Sequence, residues 1–304
     1  MDFRMTIVGV GGVGGVLAGP LLRKYSASVS LVARGARGEH LRTNGLTLCS
    51  DLYGTFTVQP ETVVETAAEL PVQDYVLVCV KNDALPKVIE QIRPIVDAHT
   101  VVVPVMNGVT AVETLKKSLP QGKVAGSVIY TVSSAGTDYA ITQTGKFTHL
   151  FLDETVDGAK DLCRLLVDAG IDCRLTGDIQ TAMWSKYVFN CAYNTMTAAQ
   201  ATDAGHLKEE PLRTDFKAIL AEAGAVGRAY GAAFGENMVE KEMHRLDKTV
   251  DRSTSSLSRD FDARRVGEME VFSGDLVRMA GQKGIAVPTM QRYYEKLLDM
   301  AKTF

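Results

Sequence analysis

Cysteine is scarce in this chain and falls into no paired pattern. The 304 residues hold five, Cys49, Cys79, Cys163, Cys173 and Cys191, with no CxxC spacing among them. That excludes a disulfide scaffold. The apolar runs around most of them predict buried free thiols in a reducing, cytoplasmic setting. Five histidines (His40, His99, His149, His206 and His244) stand at no metal-ligand spacing, so no metal site is expected. No basic tract stands out and the net charge is -3, which argues against a nucleic-acid partner. No apolar run approaches a membrane span. No signal peptide is recognised, because the N-terminus runs directly into a short apolar strand. A hydrophobic fraction of 46% fits a soluble chain with a substantial core, and the length fits one large domain or two ordinary ones.

What is present is concentrated at the start. A β-branched run, Thr6, Ile7, Val8 and Val10, enters Gly9-x-Gly11-x-x-Gly14, and a helical apolar pattern follows through Val16, Leu17, Leu21 and Leu22. Strand, glycine turn and helix in that order are the context in which this motif signals a dinucleotide site. Gly9 turns tightly, Gly11 lets backbone N–H groups approach a pyrophosphate, and Gly14 lets the helix lie close to the strand. The helix N-terminus offers unpaired donors and a positive dipole end to phosphate. The turn residues Gly9, Val10, Gly11, Gly12, Val13 and Gly14 are therefore expected to bind the cofactor.

A second absence bears on which cofactor. The next strand reads Ser28–Ala33, and a site for NAD would place a carboxylate at its tip for the ribose 2′-OH. This chain has Arg34-Gly35-Ala36-Arg37 there. A guanidinium suits a 2′-phosphate, so Arg34 predicts NADP. Arg37 is balanced between a phosphate contact and a solvated loop residue, and His40 belongs to the following helix.

The first half continues as alternating strands and helices. Tyr75–Val80 and Val101–Val105 are continuous apolar runs of the kind buried on both faces, with a helix over Asp83–Val96 between them. Val128–Val132, Phe147–Leu152 and Asp172–Leu175 read as further strands, and Asp157–Ala169 as a helix. Such alternation predicts an α/β fold, with a Rossmann-type doubly wound parallel sheet whose ligand lies beyond the carboxyl ends of the strands. Lys81 and Asn107 stand at those ends. After Gly177 the pattern turns helical, at 178–200, 206–233 and 266–284 and after Pro288. An all-helical C-terminal domain over 177–304 is expected to follow a cofactor domain over 1–176. In the 178–199 helix, capped by Asp178, the residues are apolar nearly all round, yet Lys186, Asn190 and Asn194 recur every fourth position along one face. A polar stripe on a buried helix needs partners or a ligand.

These features together resemble the ketopantoate reductase (2-dehydropantoate 2-reductase) family nearly end to end. The resemblance rests on Gly9-x-Gly11-x-x-Gly14, Arg34-Gly35, Val80-Lys81, Asn107-Gly108 and Trp184-Ser185-Lys186 with Asn190 and Asn194. It also rests on Ser255-Ser256-Leu257 with Asp260, Arg265 and Glu268, on Ser273-Gly274, and on Gly284 to Pro288. It implies NADPH-dependent reduction of a 2-oxo acid to a 2-hydroxy acid, with ketopantoate the first candidate, in pantothenate and coenzyme A biosynthesis. It implies Lys186 as the catalytic acid and Glu268 as its supporting carboxylate. Asn107, Asn190, Asn194 and Ser256 would bind substrate. Lys81, Asn107 and Glu268 would border the cofactor, and a homodimer is compatible with the family. Four positions depart from the pattern that the resemblance carries: Met106, Ala204, Ser253 and Ser273. They leave open another 2-oxo acid as substrate. A non-catalytic NADP-binding regulator would need neither Lys186 nor Glu268, and an FAD protein would share only the glycine turn.

Overall fold

The structure, a computed structural model, describes residues 3–304. Chain contacts divide it into two units, Met1–Ile179 and Gln180–Phe304. The division lies a few residues beyond the expected 176/177 boundary, at the start of a helix rather than at the end of a strand.

In the first unit, short apolar runs build a parallel six-stranded sheet. Its strands are β1 (Met5–Val8), β2 (Val29–Val32), β5 (Thr62–Val64), β6 (Tyr75–Val78), β7 (Val101–Pro104) and β8 (Lys123–Val124), ordered β5-β2-β1-β6-β7-β8. β1 pairs in register with β2 on one side and β6 on the other, Met5 facing Val29 and Tyr75. β1 and β7 are buried along their whole length, with Thr6 of β1 hydrogen-bonded to the Ser30 carbonyl at 3.3 Å. The order reverses direction at β1, the point where an open parallel sheet leaves a crevice for ligand. Helices α1 (Gly12–Tyr25), α2 (Gly35–Asn44), α3 (Leu85–Ile92), α4 (Ala111–Ser118) and α5 (Ala159–Asp168) complete the unit. The helix expected over Asp83–Val96 is thus α3 flanked by single 3-10 turns.

A second, five-stranded sheet differs from expectation. It holds β3 (Leu46–Ser50), β4 (Gly54–Val58), β9 (Ser127–Ala135), β10 (Ile141–Asp153) and β11 (Asp172–Thr176). The strands expected at 128–132, 147–152 and 172–175 lie here, not in the parallel sheet. β10 pairs antiparallel with β9 and parallel with β3 and β11. Helix α1 lies against it through glycine: a Cβ on Gly12 would meet the Ser133 backbone at 2.9 Å, and one on Gly15 would meet the Ile141 side chain at 2.4 Å. One apolar core joins both sheets through α1, from Ile7 and Leu21 to Leu48, Ile141 and Leu150.

The described residues of the second unit hold helices and no strand. They are α6 (Ile179–Ala199), α7 (Ala204–Leu207), α8 (Leu212–Ala229), α9 (Met238–Lys248), α10 (Ser256–Asp262), α11 (Asp275–Gln282) and α12 (Pro288–Ala301). The helix expected over 206–233 is interrupted before α8, where Pro211 supplies no amide donor. The one expected over 266–284 is present but shorter, opening as a π-helical turn, Glu270–Gly274, that runs on into α11. α6 begins directly after Asp178 and buries thirteen residues, among them Trp184, Tyr187, Phe189 and Met196. No helix among the described residues is long and apolar enough to cross a membrane. The cysteines form no disulfide; Cys163, Cys173 and Cys191 are buried and Cys49 and Cys79 half-buried.

Candidate active site

In the first unit the glycine turn opens a groove. Gly9 leaves β1 with φ +93, a left-handed conformation, and its N–H donates to the Val32 carbonyl at 3.1 Å, tying β1 to β2. A Cβ on Gly14 would lie 2.0 Å from the Gly9 carbonyl oxygen, so this glycine is required for the helix to approach the turn. Gly11 differs. It has φ -87, and a Cβ there would meet nothing within 4 Å. No part of the chain demands glycine at position 11; the space beside it is free for a ligand. A cavity of about 340 Å³ lies here, lined by Gly9–Gly11, the ends of β1 and β2, and Ala84, Lys87, Val88 and Gln91 from α3 and the turn before it. Arg34 and Arg37 line it too, and no lining residue is acidic. Glu65, just past β5, is engaged elsewhere, by the Gly35 N–H at 3.3 Å and Arg42 at 3.7 Å. Three cations and no carboxylate suit a phosphorylated ribose. His40 lies within α2, as expected.

Lys81 and Asn107 follow β6 and β7 as expected. Lys81 is exposed and precedes a 3-10 turn, and its carbonyl accepts the Ala84 N–H at 3.0 Å. The Asn82 amide donates to the Asn107 carbonyl at 2.8 Å, joining the two loops, and Gly108 turns with φ +93.

In the second unit α6 carries the polar stripe. Lys186 and Asn190 are half-buried and Asn194 is buried. Three consecutive contacts clamp the segment before α10 onto this helix. The Tyr193 hydroxyl donates to the Ser253 carbonyl at 2.8 Å, Thr197 Oγ1 to Ser255 Oγ at 2.7 Å, and Ser256 Oγ to Asn194 Oδ1 at 3.2 Å. Ser255 in turn caps α10 by accepting the Ser258 N–H. Asn194 Nδ2 donates to the Asn190 carbonyl at 3.1 Å. That commits one of its two hydrogens and leaves one donor beside the exposed Ser256.

Glu268 is positioned by the turn that precedes it and the π-turn that follows. Arg265 forks onto Asp260 Oδ1 at 3.0 and 2.8 Å, and Gly267 turns with φ +58. Beyond it, the Tyr187 hydroxyl donates to the Val271 carbonyl at 2.6 Å and Thr195 meets Ser273 Oγ at 2.8 Å, pinning the π-turn to α6. π-turns of this kind recur at functional sites. Lys186 feels the result. Desolvation lowers its ammonium from the ordinary 10.5 to about 8, the Glu268 carboxylate opposing and the Arg245 guanidinium adding to the fall. A half-buried lysine beside one carboxylate and one cation gives up its proton near neutrality.

Two of the four departures are neighbours: the Ala204 N–H donates to the Ser253 carbonyl at 2.9 Å. Ser273 is fully buried against Thr195 and serves packing. Arg245, Lys87 and Gln91 were not singled out by the sequence. Arg245 lies on α9, whose signal was the apolar spacing of Met238, Met243 and Leu246, all buried. The guanidinium sits 4.1 Å from the Phe189 ring centroid, on the α6 turn next to Lys186.

Two family models match the chain: Ketopantoate reductase PanE/ApbA over residues 5–154, and Ketopantoate reductase PanE/ApbA C terminal over residues 178–301. The 2-dehydropantoate 2-reductase of Mesorhizobium japonicum is 29% identical over 255 residues, covering 76% of this chain and 78% of the relative. An uncharacterized oxidoreductase of Bacillus subtilis, YkpB, is 26% identical over 300 residues, 97% of each chain. Among solved structures, 2-dehydropantoate 2-reductase from Methylococcus capsulatus superposes with a TM-score of 0.88 at 26% identity, covering 99% of this chain and 98% of that one.

Proposed function

The chain belongs to the ketopantoate reductase family, oxidoreductases that act on a CH–OH/C=O group, and we propose that it reduces a 2-oxo acid with NADPH, ketopantoate being the leading substrate. The observation that carries this reading is Lys186: an ammonium lowered to about 8 by desolvation, near the Glu268 carboxylate, in line with Asn190 and Asn194 along a largely buried helix. The open space at Gly11 and the acid-free groove fit a dinucleotide carrying a 2′-phosphate, with Arg34 on that phosphate and Gly9–Gly14 on the pyrophosphate. The nicotinamide supplies the hydride when bound.

The protein's own part is electrostatic. Reduction of a ketone builds negative charge on the carbonyl oxygen. Lys186 stabilises that charge and delivers the proton. Glu268 holds the ammonium in its charged form until it is needed. Ser256, Asn190 and Asn194 supply neutral hydrogen bonds to a carboxylate and a hydroxyl, and ketopantoate has both. Lys81 and Asn107 line the reacting end of the cofactor. With that substrate the enzyme belongs to pantothenate biosynthesis. A homodimer is the assembly to check, by light scattering.

The test is kcat/KM for ketopantoate against 2-oxoisovalerate, which lacks the hydroxyl, and against aromatic 2-oxo acids. A site that hydrogen-bonds a hydroxyl rejects the analogue without one. If ketopantoate is not the best of the set, the second reading holds: a family member for another, less polar 2-oxo acid. The adjacency of Ala204 and Ser253 favours that alternative, because two of the departures from the pattern then stand together and both are small side chains.

A further inference from the structure

The β9–β10 hairpin ends in a turn whose last residue should be glycine. Gly136 N–H donates to the Ala140 carbonyl and Tyr139 N–H to the Gly136 carbonyl, at 2.8 and 3.1 Å. A hairpin loop of this kind ends in a left-handed residue, for which glycine is the easy choice. Here that residue is Tyr139, with φ 66. A bulky aromatic in this region is an outlier that the surroundings must hold in place.

The ring and the carbonyl of Tyr139 both meet Arg37. Arg37 Nη1 donates to the Tyr139 carbonyl at 2.8 Å, and its guanidinium carbon lies 5.2 Å from the ring centroid. His40, one turn along α2, contacts the same ring at 4.9 Å between centroids. The nearby Asp138 carboxylate is engaged by the Ala140 N–H at 3.1 Å. Arg37 lines the cofactor groove beside Arg34. The hairpin of the second sheet thus contacts, through Tyr139, a guanidinium that lines the groove.

We propose that Tyr139 is a positioning residue for cofactor selectivity: it holds the Arg37 guanidinium ready for the 2′-phosphate of NADPH, so that both sheets of this unit set the preference. This rests on the NADPH reading above. A guanidinium already stacked and hydrogen-bonded has less freedom to lose when it meets phosphate. NADH offers no group at that place, so its binding should not respond.

The test uses the whole protein and titrates NADPH and NADH separately by nicotinamide fluorescence, with thermal midpoints alongside. Tyr139→Gly suits the positive φ and keeps the carbonyl, removing the ring alone; Tyr139→Asn is the second ring-free variant tolerated there. Both should weaken NADPH by ~3–10-fold, the range of a cation–π contact, with NADH unchanged and the midpoint unmoved or raised. Tyr139→Phe should restore wild-type affinity. Arg37→Ala should cost NADPH at least ~10-fold. Adding Tyr139→Gly to it should cost nothing more, because the two act as a unit. Wild-type protein that binds both cofactors equally would refute the NADPH reading itself. Wild-type protein that prefers NADPH while both ring-free variants keep that preference, lose both cofactors alike, or add fully to Arg37→Ala would overturn the role of Tyr139.

Discussion

The cofactor groove and the lysine-bearing helix solve the same problem, holding a charged ligand, by opposite means. The groove works by subtraction. Gly11 leaves space, Gly14 lets a helix end close on a strand, and no lining residue is acidic. Its charges, Arg34, Arg37 and Lys87, stand around a hollow of glycine backbone and small or apolar side chains. The helical unit works by addition. Glu268 and Arg245 act in opposite senses on the charge of Lys186, and Asn194, Ser256, Tyr193 and Thr197 tie two segments together. A groove of the first kind is tuned by what is left out, and a site of the second kind by the environment of one proton.

That contrast is open to test, from the largest effect downwards. Lys186→Ala should lower kcat by at least ~100-fold while the protein folds and still binds NADPH. Turnover near wild type would remove the lysine from the chemistry. Arg34→Ala should weaken NADPH by ~1.5–3 kcal/mol and leave NADH nearly unchanged; equal losses would show that no 2′-phosphate is read there. The glycines sharpen the comparison further. Gly14→Ala should lower the thermal midpoint, since overpacking costs ~1–3 kcal/mol. Gly11→Ala should leave the midpoint alone and weaken both cofactors. If both variants destabilise equally, the space at Gly11 is not a ligand space.

The smallest effect concerns pH. In its proposed role as proton donor Lys186 must be protonated to act, so kcat/KM should fall as pH rises through about 8. Arg245 disfavours the charged form, so Arg245→Met should move that fall to higher pH. Glu268 favours it, so Glu268→Gln should move the fall to lower pH, with some loss of rate. Shifts of the opposite sign would show that another group governs the limb.

The parallel sheet was legible because β6 and β7 are unbroken apolar runs and β1 is rich in β-branched residues, and the glycine turn because its flanks are strand and helix. The second sheet was harder to see. β3 and β4 alternate, with Leu46 and Leu48 buried between polar neighbours, and such short alternation competes with loop composition. The stripe of Lys186, Asn190 and Asn194 was visible from spacing alone. Glu268 and Ser256 came from the resemblance instead, because a turn before a π-turn and the first residue of a seven-residue helix carry too little periodicity to mark a site. Arg245 was hidden for another reason: its effect on Lys186 arises from tertiary packing over Phe189, which no local pattern encodes.

The glycines of α1 have one more consequence. Gly12, Gly15 and Gly19 let that helix sit close against β9, β10 and β3, Gly12 on the Ser133 backbone and Gly15 and Gly19 on the Ile141 and Leu48 side chains, while Leu17 and Leu21 are fully buried. The helix whose N-terminus faces the groove is thus held on two sides before any ligand arrives. Its amide protons past the first turn should be among the slowest in the unit to exchange with deuterium, and NADPH should slow them little further. Large ligand-induced protection there would mean that the helix orders on binding. Slow exchange in the free protein would mean that association has little backbone entropy left to lose, and that cofactor affinity is decided by the contacts alone.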